Sequence, residues 1–533
     1  MKKILRVMAV FIAILTAIPC VAEEPLANDN LQGLYVRSIE QVLRLPPDQI
    51  DVGIAALIVS ESWSDVVAGR RYQQQLDDMA IEIRDRLKAK NAPVGVAAIP
   101  LINEYLFNEL KFRTIDKADE PHDLFLHSVL DNKRGYCLSL SILYLAIGER
   151  LGLPLYGVVV PGHFFVRYDD GQNRFNIETT SKGGTATDEY YIKKFKVPQN
   201  GETIYMTNLN KLQTLGCFFN NLGNVYNQVG NIDQAMAALK CTVFINPSLA
   251  ESRMNLGNIY LRKDRIDEAI TEFQQAIRIN PDNAVAHSGL GSAYQKREWF
   301  NDAASEYTYS IRLDPNCVDT YRNLASAYRR LNQLPQARST LVQALAIEPK
   351  NADVYRELGD MCLLAEDYDE AIGRYEKALK LRPDFADAYY GLGCCYNKLS
   401  KTEKEIECYL KALKIKPDML SALMNLGGVY FAKSDYNSAI EQYTKAVRID
   451  ANDSKLFYNL GAAYFNRGSY EQAYAGYAKA VELAPKMAEA HYGLAIVYYK
   501  LLDYDKALVH VKKAGELGAT IDPNLLKAIE SRK

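Results

Sequence analysis

The chain has 533 residues, of which 48% are hydrophobic, 24% charged and 10% aromatic. This ordinary globular composition excludes a collagenous, fully disordered or disulfide-dense protein. The formal net charge is -2, so no basic excess favours a nucleic acid, and we expect no such partner. Tyrosine outnumbers phenylalanine by 36 to 17, which indicates that one position is reused in a repeat.

Residues 1–22 are predicted to be a secretory signal peptide, followed by a linker over 23–30. Three basic residues precede an apolar stretch at 7–18, and small residues then offer a cleavage site. The stretch is too short to span a membrane, so we predict an exported mature chain, periplasmic or extracellular, with no membrane span. Lipoprotein anchoring at Cys20 is the disfavoured alternative, because a proline precedes it.

A 34-residue period dominates residues 216–521. A Leu-Gly pair recurs in this frame, with a tyrosine four residues after the leucine. Proline marks the end of most units, at Pro247, Pro281, Pro315, Pro349, Pro383, Pro417 and Pro485. Such a unit is predicted to be a pair of antiparallel helices, which stacks on its neighbours into a solenoid because one pair cannot bury its own apolar face. The pattern resembles the tetratricopeptide repeat, with nine units and a cap at 522–533.

That resemblance implies that the first helix of each unit lines a concave groove for an extended peptide or protein partner. Asparagine recurs just before the Leu-Gly pair, and a carboxamide can both donate to and accept from a peptide backbone. The arrangement is similar to the asparagine ladder of O-linked N-acetylglucosamine transferases. The predicted groove residues are Asn221, Asn224, Asn255, Asn258, Asn323, Asn425, Asn459, Arg322, Arg356, Tyr390, Tyr458 and Tyr492. Alternatively, these asparagines satisfy backbone groups between adjacent units.

The region over 31–205 does not repeat, and a linker at 206–215 follows it. Its first part is predicted to be helical to about residue 103, and its second part combines one helix with three strands. Cys137 stands at the start of the helix, His163 precedes the second strand, and Glu178 lies on the third.

This order of side chains has a chemical rationale. A thiolate at a helix amino terminus is stabilised by the positive end of the helix dipole. A nearby imidazole can stabilise the thiolate and later act as an acid, and a carboxylate can hold the imidazole in place. Because a hairpin turn lies between them, His163 and Glu178 are predicted to face each other across paired strands.

The segment around these residues resembles the transglutaminase-like superfamily, a papain-like α+β fold with the order Cys, His, Asp. The motifs are Gly135-Tyr136-Cys137, the helix end at 150–154, Gly162-His163 and 177–179. The resemblance implies Cys137 as nucleophile, His163 as base and Glu178 as the orienting acid. It implies attack on an amide through a thioester, with release to water or an amine. Glutamate stands at 178 where aspartate is usual, and a buried core thiol is the alternative for Cys137.

The predicted fold is therefore an α+β transglutaminase-like domain followed by an all-α tetratricopeptide solenoid. Three functions follow. The first is an exported protein-interaction scaffold with a domain of uncertain activity, and the second is an active thiol enzyme that recruits substrate through the repeats. The third is a structural adaptor in an envelope assembly. The spacing of the cysteines matches no zinc template, and we predict neither a metal site nor a cofactor.

Overall fold

The computed structural model describes residues 38–64, 69–198 and 203–532. The predicted signal peptide, Cys20 and the linker at 23–30 lie outside the described residues. Contacts divide the chain into two units, one ending at Thr320 and the other beginning at Tyr321. In the described ranges we find no helix that is both long and apolar enough to cross a membrane.

Unit 1 begins with an α+β domain. Its helices are α1 (Ile39–Arg44), α2 (Val52–Trp63), α3 (Gly69–Ala89), α4 (Ala98–Asn103), α5 (Leu126–Asn132), α6 (Cys137–Leu151) and α7 (Asp188–Lys194). Its strands are β1 (Arg113–Thr114), β2 (Arg134–Gly135), β3 (Leu155–Val160), β4 (His163–Asp169) and β5 (Arg174–Ile177). Strands β3, β4 and β5 form an antiparallel sheet in chain order, whereas β1 and β2 pair in parallel.

Helix α6 is the central helix of this domain, and most of its residues are buried. It begins at Cys137 because the Ser139 hydroxyl accepts a hydrogen bond from the Tyr136 backbone N–H, 2.9 Å away, at the turn before the helix. It ends at Leu151, and the next residue is Gly152, whose φ of 71° is the left-handed conformation that glycine adopts without a steric penalty.

A buried arginine fixes the sheet to the segment that leads into the repeats. Arg167 on β4 is 0% exposed and donates to Asn176 on β5 at 2.8 Å and to Asp188 of α7 at 2.7 Å. It also donates to the Met206 carbonyl at 2.8 Å. Loss of any of these partners would leave a buried guanidinium group incompletely compensated, which is energetically costly. The network therefore holds β5, α7 and residue 206 in one arrangement.

The repeats begin with α8, at Lys211. Unit 1 contains α8 (Lys211–Gln228), α9 (Ile232–Ile245), α10 (Ala250–Arg262), α11 (Ile266–Ile279), α12 (Ala284–Lys296) and α13 (Phe300–Leu313). Next come α14 (Val318–Arg330), α15 (Leu334–Ile347), α16 (Ala352–Leu364), α17 (Tyr368–Leu381), α18 (Ala386–Lys398), α19 (Thr402–Ile415) and α20 (Leu420–Ala432). The series ends with α21 (Tyr436–Ile449), α22 (Ser454–Arg467), α23 (Tyr470–Leu483), α24 (Ala488–Lys500), α25 (Tyr504–Glu516) and α26 (Pro523–Glu530).

The recurring glycine of the Leu-Gly pair lets the two helices of a unit approach closely. In most units it faces an aromatic ring of the second helix, such as Tyr409 against Gly393, and a Cβ placed there would lie 2.3 Å from that ring. The same contact recurs at Phe273, Tyr307, Tyr375, Tyr443 and Tyr477. Part of the tyrosine surplus therefore fills the space between paired helices from a second repeat position, which the sequence reading did not single out.

Candidate functional site

The thiol of Cys137 lies at the first residue of α6. The side chain is 4% exposed, and it lines a cavity of about 280 Å³ together with His163. The first N–H groups of an α-helix have no partner within the helix, so the backbone of this turn presents donors beside the thiol.

His163 and Glu178 form a hydrogen-bonded pair. The His163 Nε2 atom lies 2.7 Å from Glu178 Oε2, and both side chains are about 85% buried, with 14% and 15% exposed. Glu178 also accepts from the Thr180 hydroxyl at 2.6 Å and from the Tyr191 hydroxyl at 3.0 Å. The carboxylate is therefore held by several donors and orients the imidazole.

The strand register explains how a glutamate reaches the imidazole. Val166 on β4 pairs with Ile177 on β5, so one step further along the ladder places Glu178 opposite Phe165. His163 is two residues from Phe165 and hence diagonal to Glu178 on the same face of the sheet. Diagonal neighbours lie farther apart than direct ones but within reach of long side chains, which suits the extra methylene of glutamate.

The loop after Glu178 is anchored on the helices of the domain. The Ser141 hydroxyl of α6 lies 3.0 Å from the Thr179 hydroxyl. Asn103 at the end of α4 donates to the Gly183 carbonyl at 3.1 Å. Gly183 has a φ of 80°, and a Cβ there would lie 2.1 Å from the Asn103 side chain, so only glycine fits this turn. These contacts fix the carboxylate relative to the start of α6.

Electrostatics favour a charged imidazole at this site. Burial opposes protonation of His163, but hydrogen bonding with Cys137 and Glu178 outweighs it and raises the pKa of His163 to about 9. Burial likewise opposes the Glu178 carboxylate, yet the hydrogen bond from His163 lowers the pKa of Glu178 overall. The ring of Phe195 stacks on the imidazole at a centroid distance of 4.9 Å and limits its rotation.

The Tyr136 hydroxyl is a second polar neighbour of the thiol. Burial, the charge of Cys137 and a hydrogen bond with Cys137 together raise the pKa of Tyr136 to about 12. The phenol therefore stays protonated at neutral pH and can donate to a sulfur anion or to an oxygen bound beside it.

Side chains of the first two repeats complete the same cavity. Helix α8 contributes Cys217, Asn220, Asn221 and Asn224, and α10 contributes Leu249, Glu251, Met254 and Asn255, of which Leu249 is the residue just before the helix. Three of the predicted groove asparagines thus share one cavity with Cys137 and His163. Asn255 also donates to Asn220 at 3.5 Å, a link between side chains of neighbouring repeats rather than to a backbone group.

The other predicted groove residues of the solenoid lie away from this cavity. Asn258 is exposed on α10. In unit 2, Asn323 lines a separate cavity of about 380 Å³ with Arg322 and Arg356. The Arg322 guanidinium donates to Glu357 at 2.7 Å, and Arg356 pairs with both Glu357 and Asp360. These two arginines are therefore engaged in ion pairs within the repeats.

The remaining predictions fall on contacts within the solenoid or on its surface. Asn425 donates to Tyr390 at 3.3 Å and to Tyr409 at 3.2 Å. Tyr458 and Asn459 line an open cavity of about 570 Å³ in unit 2. Tyr492 packs against the cluster beneath the last helix, α26.

Several residues of the site were not anticipated from the sequence. Tyr191 and Phe195 come from α7 and the residue after it, Thr180 follows Glu178, and Glu251 comes from a repeat. Only the proximity of Thr180 to Glu178 in the chain offered a signal, because the others reach the site through tertiary contacts. Within the described chain no group of three or more His, Cys, Asp or Glu side chains could hold a metal ion.

Fold and site together define an α+β domain with a cysteine, a histidine and a glutamate in one site, followed by a helical-repeat solenoid. The model of the transglutaminase-like superfamily matches residues 70–209. Models of the tetratricopeptide repeat match 257–297, 289–352, 322–374, 359–400, 386–419, 427–468 and 461–501. The chain therefore contains a transglutaminase-like domain followed by multiple tetratricopeptide repeats, which confirms the predicted architecture. Such repeats imply binding of a protein or peptide.

Two curated proteins share shorter segments with the chain. A UPF0162 protein of Xylella fastidiosa (strain Temecula1 / ATCC 700964) is 38% identical over 82 residues, which are 15% of this chain and 28% of that protein. F-box only protein 21 of Mus musculus is 38% identical over 72 residues, 13% of this chain and 11% of that protein. The chain thus spans about a quarter and about a tenth of these relatives.

Solved structures resemble part of the chain. The crystal structure of YrrB, a TPR protein with an unusual peptide-binding site, is 23% identical and covers 35% of this chain and 96% of YrrB, with a TM-score of 0.30. The crystal structure of MamA is 27% identical and covers 31% of this chain and 97% of that chain, with a TM-score of 0.28.

Proposed function

We propose that unit 1 is a cysteine-dependent enzyme that hydrolyses amides of peptides or transfers their acyl groups. The observation that carries the proposal is the position of His163, which hydrogen-bonds to Glu178 at 2.7 Å and interacts with Cys137. A thiol, a base and an orienting acid in this relation form the apparatus of nucleophilic acyl transfer. A core thiol would need neither partner.

The reaction balances with these residues alone. The Cys137 thiolate adds to the amide carbonyl carbon, the C–N bond breaks, and the His163 imidazolium gives its proton to the leaving amine. The resulting thioester is then attacked by water or by an amine, with neutral His163 accepting the proton. The thiolate leaves and the proton on His163 restores the ion pair. The backbone N–H groups at the start of α6 are suited to stabilise the tetrahedral oxyanion.

The repeats supply the substrate side of the proposal. Asn221, Asn224 and Asn255 line the cavity that contains the thiol, and their carboxamides can pair with the backbone of an extended peptide. We expect alanine at these three positions to slow reaction with peptide amides. Reaction with a small ester should change little, because such a compound needs only the thiol and imidazole.

The acyl-enzyme can be tested before any substrate is known. We expect 4-nitrophenyl acetate to release nitrophenolate and leave one acetyl group on Cys137, detected by mass spectrometry of peptides quenched in acid. H163A should slow acetylation by a factor of about 100, the usual contribution of a general base. If Cys137 were acetylated no faster in the wild type than in H163A, the catalytic proposal would be wrong and a non-catalytic scaffold would be the better description of the protein.

Cys217 is a matched control in the same cavity. Burial and the nearby Glu251 raise the pKa of the Cys217 thiol, and within the described chain no imidazole hydrogen-bonds to it. We therefore expect C217A to be acetylated like the wild type, whereas C137A is not. If acetylation persisted in C137A and were lost in C217A, the reactive thiol would be Cys217 and the proposed role of Cys137 would be wrong.

We further propose that the chain is exported through its first 22 residues. The basic start, the apolar stretch at 7–18 and the small residues before position 23 support this proposal. Amino-terminal sequencing of the protein from its native host should begin at Glu23. Recovery of chains that begin at Met1, or of all the protein in the cytoplasmic fraction, would contradict export.

A further inference from the structure

The cavity of Cys137 contains one acid that the acyl-transfer chemistry does not use. Glu251, in the first turn of α10, lines the cavity together with Cys137 and His163. Its Oε2 atom accepts a hydrogen bond from the Tyr205 hydroxyl. Burial raises the pKa of the Glu251 carboxyl, which shows that the cavity compensates its negative charge poorly.

No cation of the described chain forms an ion pair with Glu251, and no lysine or arginine lines the cavity. The same repeat position elsewhere behaves differently. In unit 2, Asp353 is paired with Arg382 at 2.5 Å, and Glu489 is exposed to solvent. Glu251 is therefore a partly buried acid without an ion-pair partner in the described chain, whereas the acids Asp353 and Glu489 at the same position are neutralised or solvated.

The acid is held in place by the segment that follows the α+β domain. Met206 donates to the Val159 carbonyl at 3.1 Å and Leu209 donates to the Gly157 carbonyl at 2.9 Å, so this segment runs along the edge of β3. Tyr205 immediately precedes the first of these anchors and is 6% exposed. Its hydroxyl therefore fixes the carboxyl group in the cavity through contacts made by the catalytic domain.

We propose that Glu251 determines substrate specificity by pairing with a guanidinium or ammonium group on a side chain next to the reacting amide. This inference rests on the proposed acyl-transfer function and names its substrate class, peptides with a basic residue at the site. A charge-assisted hydrogen bond to a carboxylate is stronger than a neutral one, and the low dielectric of the cavity strengthens it further. An anionic side chain there would face the Glu251 carboxylate, and no lysine or arginine lines the cavity to compensate the repulsion.

The test is binding rather than turnover. The protein carries C137A so that no thioester forms, and the ligands are Nα-acetyl-arginine methylamide and its citrulline counterpart, which has nearly the same shape without the charge. Isothermal titration calorimetry should give a Kd about tenfold lower for the arginine amide, equivalent to about 1.4 kcal/mol. A guanidinium group is a poor nucleophile and would not act as the amine that attacks a thioester. A preference for the arginine amide therefore reports recognition of its charge.

Three variants in the C137A background decide the assignment. E251Q keeps an acceptor for Tyr205 but removes the charge, and it should bring the two Kd values within about twofold. Y205F keeps the charge and should retain the preference for arginine. E489Q removes an acid from the same repeat position in unit 2 and should change neither Kd.

Equal affinity for the two amides in C137A, absence of binding by the arginine amide, or a preference that survives E251Q would each overturn the inference. These results are independent of acetylation at Cys137. A reactive Cys137 with no arginine preference would leave the proposed enzyme intact and remove only its specificity. A preference for arginine in a protein whose Cys137 does not react would leave a binding site without catalysis.

Discussion

The first two repeats and the repeats of unit 2 use the same concave positions in different ways. In unit 1, Asn221 and Asn255 line the cavity that contains Cys137. In unit 2, the side chain just before the asparagine position is Arg322 or its equivalent Arg356, and both pair with Glu357. A repeat position therefore determines where a side chain lies, whereas the role of that side chain depends on the residues that it faces.

The largest expected effect concerns the packing that both regions share. In unit 2, Ala at Gly393 would place a Cβ 2.3 Å from the rigid Tyr409 ring, whereas in unit 1 the Cβ of Gly223→Ala would meet the flexible Leu239 side chain at 2.6 Å. We expect G393A to lower the free energy of unfolding by about 2–3 kcal/mol, with a smaller loss for G223A. Urea denaturation followed by circular dichroism measures both.

Gly373 is the control for this substitution within unit 2. It lies inside helix α17 with no heavy atom within 4 Å of a Cβ built there. Since alanine has the higher helix propensity, G373A should raise the free energy of unfolding by up to about 1 kcal/mol. If G373A and G393A are equally harmful, the contact with Tyr409 is not the cause.

The ion pairs of unit 2 should contribute more to stability than the asparagine contacts of unit 1. E357Q removes the partner that Arg322 and Arg356 share, and these side chains are 28% and 23% exposed. We expect a loss of about 1–2 kcal/mol in the free energy of unfolding, because two partly buried guanidinium groups lose the charge of the carboxylate that they share. N255A in unit 1, which removes only a 3.5 Å hydrogen bond, should cost less than 0.5 kcal/mol.

His287 in unit 1 and His491 in unit 2 occupy the same repeat position, but their different partners predict different effects of pH on stability. In unit 1, burial opposes charging of His287, but its hydrogen bond to Glu306 raises the pKa of His287 overall. In unit 2, His491 instead lies 3.1 Å from His510, and burial together with His491 lowers the pKa of His510. The two pairs should therefore respond to acid in opposite directions.

The sign follows from proton uptake on unfolding. Because the folded pKa of His510 is below its unfolded value of about 6.5, the unfolded chain binds more protons as the pH falls below that value, and stability decreases. His287 has a raised folded pKa, so its contribution is present below about pH 6.5 and is lost as the pH rises through the folded value. H510E places a carboxylate at the position that Glu306 occupies in unit 1, and it should raise the melting temperature more at pH 5 than at pH 8. If the substitution changed the melting temperature equally at both pH values, the proposed effect of the histidine pair would be contradicted.

A smaller effect than that of G393A is expected in the turn between the two helices of each repeat. This turn has a positive φ in every unit, at Gly230, Asp264, Glu298, Asn332, Glu366, Ser400, Ser434, Gly468 and Leu502. Leu502 has a φ of 65° and is 68% exposed, so L502G should remove steric strain worth about 1 kcal/mol. A lower melting temperature for L502G would show that this leucine is held by contacts instead.

The sequence predicted the fold more completely than the site. The apolar run at 155–160 predicted a strand with the bounds that the structure has, and the 34-residue period predicted the helix pairs. The order of Cys137, His163 and Glu178 indicated a shared site, because strand pairing and a helix start are local features. The repeat side of the cavity was not predictable, since Glu251 and Asn221 approach Cys137 only through contacts between elements distant in the chain.

The alkylation rate of Cys137 shows whether His163, held by Glu178, keeps the buried thiol in its reactive form. Iodoacetamide should label Cys137 at pH 6.5 at least about tenfold faster in the wild type than in H163A, with E178Q between them, because only the thiolate reacts. Equal rates in the wild type and H163A would show that the imidazole does not activate the thiol and would contradict the account.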